Sequence, residues 1–153
     1  IEDCHVDYVF LAGYMAILGT VFVKQFAGKL INIHPSLLPA FKGLDTHQRA
    51  IDAGVKTHGA SIHLVNGALD DGPLILQASL AVAETDTAEV LAGRVLQLEH
   101  QTYPFVLLSL AAQNVTLLPD GVIWQVTTLA AAPAEIQNVL EPCVIWPDGS
   151  SQR

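Results

Sequence analysis

Positive charge is scarce in this chain. Seven lysines and arginines stand against fifteen aspartates and glutamates, giving a formal charge of -8. Lys24, Lys29, Lys42 and Lys56 are scattered, so no basic patch emerges. A nucleic-acid or anionic-membrane surface needs clustered cations to neutralise phosphates, and the balance argues against both partners. There is no P-loop and no GxGxxG, so neither glycine-rich phosphate cradle is present. There is no HExxH. None of the histidines (His5, His34, His47, His58, His63, His100) has a recognised ligand spacing with a carboxylate partner. No metal is expected. The two cysteines, Cys4 and Cys143, lack CxxC spacing and read as reduced thiols of a cytoplasmic protein, with a disulfide as the lesser alternative. An uninterrupted membrane-length apolar run is also missing. Residues 6–23 come nearest, but Gly13 and Gly19 interrupt them and acidic Glu2 and Asp3 precede them. A buried strand, a turn and a helix account for that stretch.

What is present is core material. Hydrophobic residues make up 51% of the 153 and charged residues 14%, enough for one folded domain spanning 1–153 and too apolar for disorder. Apolar runs at Asp7–Ala12, Lys29–Ile33, Gly59–Val65 and Leu74–Val82 predict strands. Helical spacing predicts a helix in Thr20–Ala27, with Val21, Phe22 and Phe26 on one face and Gly28 ending it. A second, capped by Asp45 or Thr46, runs through Ala53. A third has Asp86 and Glu89 at capping-box spacing and is kinked or restarted at Pro104. Val115–Leu118 and Val122–Val126, flanking Pro119-Asp120-Gly121, predict a hairpin. From Ala130 onward the composition predicts loose order. Strands alternating with helices imply an α/β fold of Rossmann-like type with a mostly parallel sheet, whose ligands sit beyond strand carboxyl ends.

The stretch Leu30–Gly43, LINIHPSLLPAFKG, is where such an end carries chemistry. Asn32 and His34 are two apart, so on an extended strand they share a face. An amide donor beside an imidazole suits a developing oxyanion, and the imidazole can move a proton near neutral pH. The same pair also fits a plain role, closing strand-end hydrogen bonds. Asp70, in LDDGP, would favour the imidazolium if near it, or cap a turn if not; spacing does not decide. Ser36 lacks a GxSxG elbow and reads as a loop hydroxyl bonding its own backbone.

The ordered set LAGYM, INIHPSLLPAFKG, THGASIHLV and LDDGPLI closely resembles the phosphoribosylglycinamide formyltransferases, the folate-dependent transformylases of purine synthesis. The resemblance runs from the first residue to about Leu110. It implies a cytoplasmic enzyme, monomer or homodimer, without metal, in which the amine of glycinamide ribonucleotide attacks the formyl carbon of 10-formyltetrahydrofolate. Asn32 and His34 would stabilise the tetrahedral oxyanion. Asp70 would keep His34 charged and pass a proton through water. Ser61 and His63 would stand one layer behind. Met15, Ala16, Ile17 and Leu18, with Asn66, Gly67, Ala68, Leu69 and Asp70, would enclose the folate. Gly13, Met15, Pro35 and Glu99 would border the ribonucleotide.

The chain departs from that pattern in three places. The family's first strand and phosphate-holding loop are not seen, roughly one third to two fifths of a usual chain, and with no initiator Met the chain is expected to have lost its beginning. Ala16 stands where many relatives carry arginine, and Asp45 where they often carry histidine. Two other readings share the motif. A formyltetrahydrofolate hydrolase would use water, and HPSLLP favours the transferase. A folate-binding remnant without the phosphate loop would not catalyse. A tRNA-modifying formyltransferase is disfavoured by the acidic balance.

Overall fold

The computed structural model describes residues 6–14, 16, 18–118, 121–124 and 144–145. Strand β1 (Val9–Leu11) leads through helix α1 (Thr20–Gln25) to β2 (Leu30–His34). Helix α2 (Thr46–Asp52) precedes β3 (Thr57–Leu64) and β4 (Leu74–Ala81). The long helix α3 (Ala88–Ala111) is followed by the hairpin β5 (Val115–Leu118) and β6 (Gly121–Trp124), and β7 (Val144–Ile145) joins the main sheet. That sheet has the order β1-β2-β3-β4-β7.

The α/β class and the hairpin are as the sequence suggests; the parallel character is not. Only β1 and β2 run parallel, and the other three pairings are antiparallel. Two connections explain this. Residues 65–73 are too few for a parallel crossover, which takes about a dozen. The segment that follows β2 is tied to the incoming β3 at the carboxyl end of β2: the Leu38 N–H donates to Ser61 Oγ at 2.9 Å, and Ser61 pairs with His34 across the ladder. The chain therefore re-enters the sheet running the other way.

Period-two alternation divides β2 and β3 between two faces. Ile31, Ile62 and Leu64 join Phe105, Val106 and Leu110 of α3 in the largest core cluster. Each such fully buried aliphatic contributes about 1.5–3 kcal/mol relative to exposure. Asn32 pairs with His63 and His34 with Ser61 on the other face. The hairpin closes one side of the core, where Trp124 stacks on Phe105 at 5.8 Å and donates Nε1–H to Ile75 O at 3.0 Å.

Several local expectations shift. In α1 the buried face is Val23 with Phe26, three apart, and Val21 is 79% exposed. Asp45 occupies the cap position of α2 in left-handed backbone (φ 56°) and its side chain makes no capping bond. Thr87, not Asp86, caps α3, accepting from the Val90 N–H at 3.3 Å. Asp86 instead accepts from the Ala83 N–H and from Arg94. Pro104 lies inside one continuous helix. The hairpin's turn residues 119–120, both cysteines, His5 and the tail apart from β7 lie outside the described residues. Among the described residues no helix is long and apolar enough to cross a membrane.

Candidate active site

The polar face of β2 and β3 sets two histidines side by side in different roles. His63 is buried, and its Nδ1 lies 2.8 Å from Leu64 O. A carbonyl only accepts, so Nδ1 carries the proton. Burial pushes the His63 pKa down, against the opposing pull of that bond and of Asp70. The neutral ring then has a bare Nε2, which accepts from Asn32 Nδ2 at 3.3 Å. That contact fixes which way the Asn32 amide points and leaves its second N–H able to reach a ligand. A register shift between Ile62 and His63 marks a β-bulge beside this pair, a feature that re-aims side chains near sites.

His34, 6% exposed, meets acceptors at both ring nitrogens. Nε2 donates to Phe41 O at 3.0 Å, and Nδ1 lies 3.4 Å from Asp70 Oδ2. Phe41 O can only accept, so Nε2 carries a proton, and Nδ1 faces the Asp70 carboxyl. The same Asp70 oxygen accepts from the Gly43 N–H at 2.9 Å, while Oδ1 sits 3.9 Å from His63 Nε2. Asp70 thus links His34 to the loop after β2 and stands beside His63. Its backbone is left-handed (φ 46°), as is that of Phe41 (φ 54°). For a bulky residue such as Phe41 this is an outlier of the kind that collects at functional sites.

The loop bearing Phe41 and Gly43 is held from below by a closed polar network. Ser61 Oγ donates to Ser36 O at 2.6 Å and accepts from the Leu38 N–H and from Gln77 Nε2. Gln77 Nε2 also donates to Leu38 O at 2.9 Å, across the cis Leu38–Pro39 segment. Ser36 Oγ donates to Ala40 O at 2.6 Å, so it is the structural hydroxyl the sequence suggests. From outside, Lys42 bonds Asp71 and holds its carboxyl below the ordinary range. Arg49 donates to Lys42 O and Leu44 O and lies over the Phe41 ring.

Under the loop, His58 and His47 contact at 3.2 Å. Burial first, then the neighbouring His47, lowers the His58 pKa to about 4. Burial likewise lowers His47. Among the described residues no group of three His, Cys, Asp or Glu side chains is arranged to hold a metal.

The structure therefore brings together Asn32, His34, Ser61, His63 and Asp70. Around them, Leu18 and Val65 pack in one cluster with Leu30, which sets the turn before α1 beside the loop that starts at Asn66. In that loop Asn66 Oδ1 accepts from the Ala68 N–H, Asn66 Nδ2 donates to Asp71 O, and Gly67 and Leu69 are exposed. Ala16 and Gly13 are exposed, Gly13 with φ 64°, and Pro35 is half-buried. Glu99 is half-buried on α3, where burial raises its pKa against the weaker effect of His100. Met15 and Ile17 lie outside the described residues. Sequence reasoning missed Gln77, the Gly43 N–H and the Phe41 carbonyl. Only Gln77 left a signal, a lone polar residue inside the apolar strand LILQASLA.

The chain is similar to known proteins in sequence and in fold. The formyl transferase family model matches residues 1–107. A phosphoribosylglycinamide formyltransferase of Haemophilus influenzae is 46% identical over 107 residues, covering 70% of this chain and 50% of that protein. The crystal structure of phosphoribosylglycinamide formyltransferase from Anaplasma phagocytophilum superposes with a TM-score of 0.77 at 45% identity, over 80% of this chain and 61% of that one. A formyltetrahydrofolate deformylase from Pseudomonas syringae superposes with a TM-score of 0.75 at 31% identity, over 80% of this chain and 41% of that one. The chain spans about half the length of the curated relatives it matches. With its family model covering most of its length, the chain belongs to the formyl transferase family.

Proposed function

We propose that this chain carries the catalytic side of a cytoplasmic enzyme that transfers a formyl group from 10-formyltetrahydrofolate to the amine of glycinamide ribonucleotide. The observation that carries the reading is the convergence of Asp70 on His34 at 3.4 Å, with Asn32 two residues along the same strand face. The amine nitrogen attacks the formyl carbon, a tetrahedral oxyanion forms, and the bond from that carbon to the folate nitrogen breaks. Asn32 donates to the oxyanion through the amide hydrogen that His63 does not take. His34 donates Nε2–H, and the formyl oxygen replaces Phe41 O as its acceptor. Asp70 holds the imidazolium and takes part, through water, in moving the proton from attacking amine to leaving nitrogen.

The folate would lie between the 15–18 turn and the Asn66–Asp70 loop, with Leu69 presenting an exposed apolar side chain. Gly13, Met15, Pro35 and Glu99 would border the ribonucleotide. His34→Ala in the full-length gene product is expected to lower turnover by about 10²–10⁴-fold; near-normal turnover would remove His34 from the mechanism.

The likeness to a deformylase supports one rival, hydrolysis of the formyl donor by water. Formate release is the discriminating readout. The transferase forms formylated ribonucleotide and little formate without the amine; a hydrolase releases formate at the same rate with or without it. Binding of tetrahydrofolate with neither product would instead identify a folate-binding protein.

A further inference from the structure

Tyr103 on α3 ties the neighbouring strands β1 and β2 together. Its hydroxyl lies 2.8 Å from Leu11 O and 3.0 Å from Ile31 O. The single hydroxyl proton is shared between carbonyls of neighbouring strands, one residue before Ala12-Gly13 on β1 and one before Asn32 on β2. Burial pushes the tyrosine pKa up, so the group remains a donor across the physiological range. The ring packs on Phe10 at 5.2 Å. A tyrosine that only filled the core would need one acceptor for its hydroxyl. This one spans two, and Glu99 stands four residues before it on the same face of α3.

We propose that Tyr103 is a positioning residue for the ribonucleotide side of the site, its hydroxyl fixing the Gly13 segment, the Asn32 strand and the Glu99 turn relative to one another. The inference rests on the formyl-transfer reading and goes beyond it in assigning a substrate-selective effect to a side chain whose hydroxyl is taken up by two backbone carbonyls. The folate side is held separately, by the Asn66–Asp71 loop contacts and by packing around Leu18, Val65 and Leu30. Loss of the hydroxyl should therefore weaken one ligand and spare the other.

The test is calorimetric titration of the full-length Tyr103→Phe protein with glycinamide ribonucleotide and, separately, with tetrahydrofolate. The ribonucleotide Kd should rise about tenfold, the scale of one lost hydrogen bond, while the folate Kd stays within about twofold. Phe10→Leu disturbs the same ring contact without a polar atom; it should lower the thermal midpoint and leave the ratio of the two Kd values unchanged. Equal weakening of both ligands, or no weakening, in Tyr103→Phe overturns the proposal. If that variant fails to fold, Tyr103→Met is read in the same way. A parent protein that binds folate but not the ribonucleotide contradicts the formyl-transfer reading itself, and this inference with it. A parent that binds both while Tyr103→Phe shows no split contradicts only the role given to Tyr103.

Discussion

The site is assembled from two regions that are fixed by different means. Asn32, His34, Ser61 and His63 stand on paired strands, where ladder register and period-two alternation set their places. Asp70, Phe41 and Gly43 stand on loops, and two of these three are non-glycine residues in left-handed backbone. The strand half is rigid because moving one residue means breaking a ladder. The loop half is held by side-chain bonds instead of a ladder, among them the Ser61–Gln77 network, the Lys42–Asp71 pair, Arg49 on Lys42 O and Leu44 O, and the Gly43 N–H on Asp70. The difference teaches that His34 belongs to both halves. Its backbone is strand, and both of its ring contacts go to loops.

The largest expected effect separates the halves by substitution at two crowded glycines. A Cβ on Gly59 would lie 1.9 Å from Ala78 O within the β3–β4 ladder, and one on Gly72 would lie 1.7 Å from Leu64 O under the Asp70 loop. Gly59→Ala and Gly72→Ala should each cost about 3 kcal/mol or more, read by denaturant unfolding. In the folded fraction, Gly72→Ala should also lose turnover, because Asp70 must shift; Gly59→Ala should lose much less. Equal specific activity in both folded variants would erase the distinction between strand and loop.

Next in size is Gln77→Leu. It leaves Leu38 O without its side-chain donor and removes one bond to Ser61 Oγ, both buried, at a cost of about 2 kcal/mol. A thermal midpoint within a degree of the parent would show that the loop does not depend on this network.

A smaller effect is tied to pH. The folded-state pKa of His58 is depressed, from 6.5 to about 4. Above 6.5 the ring is neutral in both states and its contribution is fully present. As pH falls from 6.5 to about 4 the unfolded chain takes up the proton first, so stability is progressively lost. His58→Gln should flatten that part of the stability–pH curve. An unchanged slope would mean that other groups set it.

The smallest expected effect is a gain. Asp45 holds φ 56° with an exposed side chain that caps nothing, so Asp45→Gly should stabilise by about 0.5–1 kcal/mol. A loss of stability would show that the carboxylate has a role at the helix end.

These same two regions differ in how far the sequence discloses them. The strand pair Asn32 and His34 follows from spacing, since alternation needs no tertiary knowledge. The place of His63 opposite Asn32 does not, because it depends on an antiparallel register set by a connection whose path is fixed by Ser61 and Leu38. Asp70 is brought to His34 only through family resemblance, as nothing local encodes a contact across 35 intervening residues. The Phe41 carbonyl and Gly43 N–H were invisible for a further reason: backbone groups carry no sequence signature. The strand ends read from the sequence lie within about two residues of those of β1 to β6, the usual uncertainty of boundaries, whereas β7 falls in the stretch whose composition predicts loose order. The parallel sheet was over-extended, because apolar β-rich runs look alike in either direction.

The measurement closest to the central claim is the steady-state turnover of Asp70→Asn in the full-length gene product, with its thermal midpoint taken alongside. The amide keeps the shape and can still accept from the Gly43 N–H, but it removes the charge facing His34. The account predicts that turnover falls by about 10²–10⁴-fold while the midpoint moves by only a few degrees. Turnover near that of the parent, in a protein of unchanged stability, would contradict it.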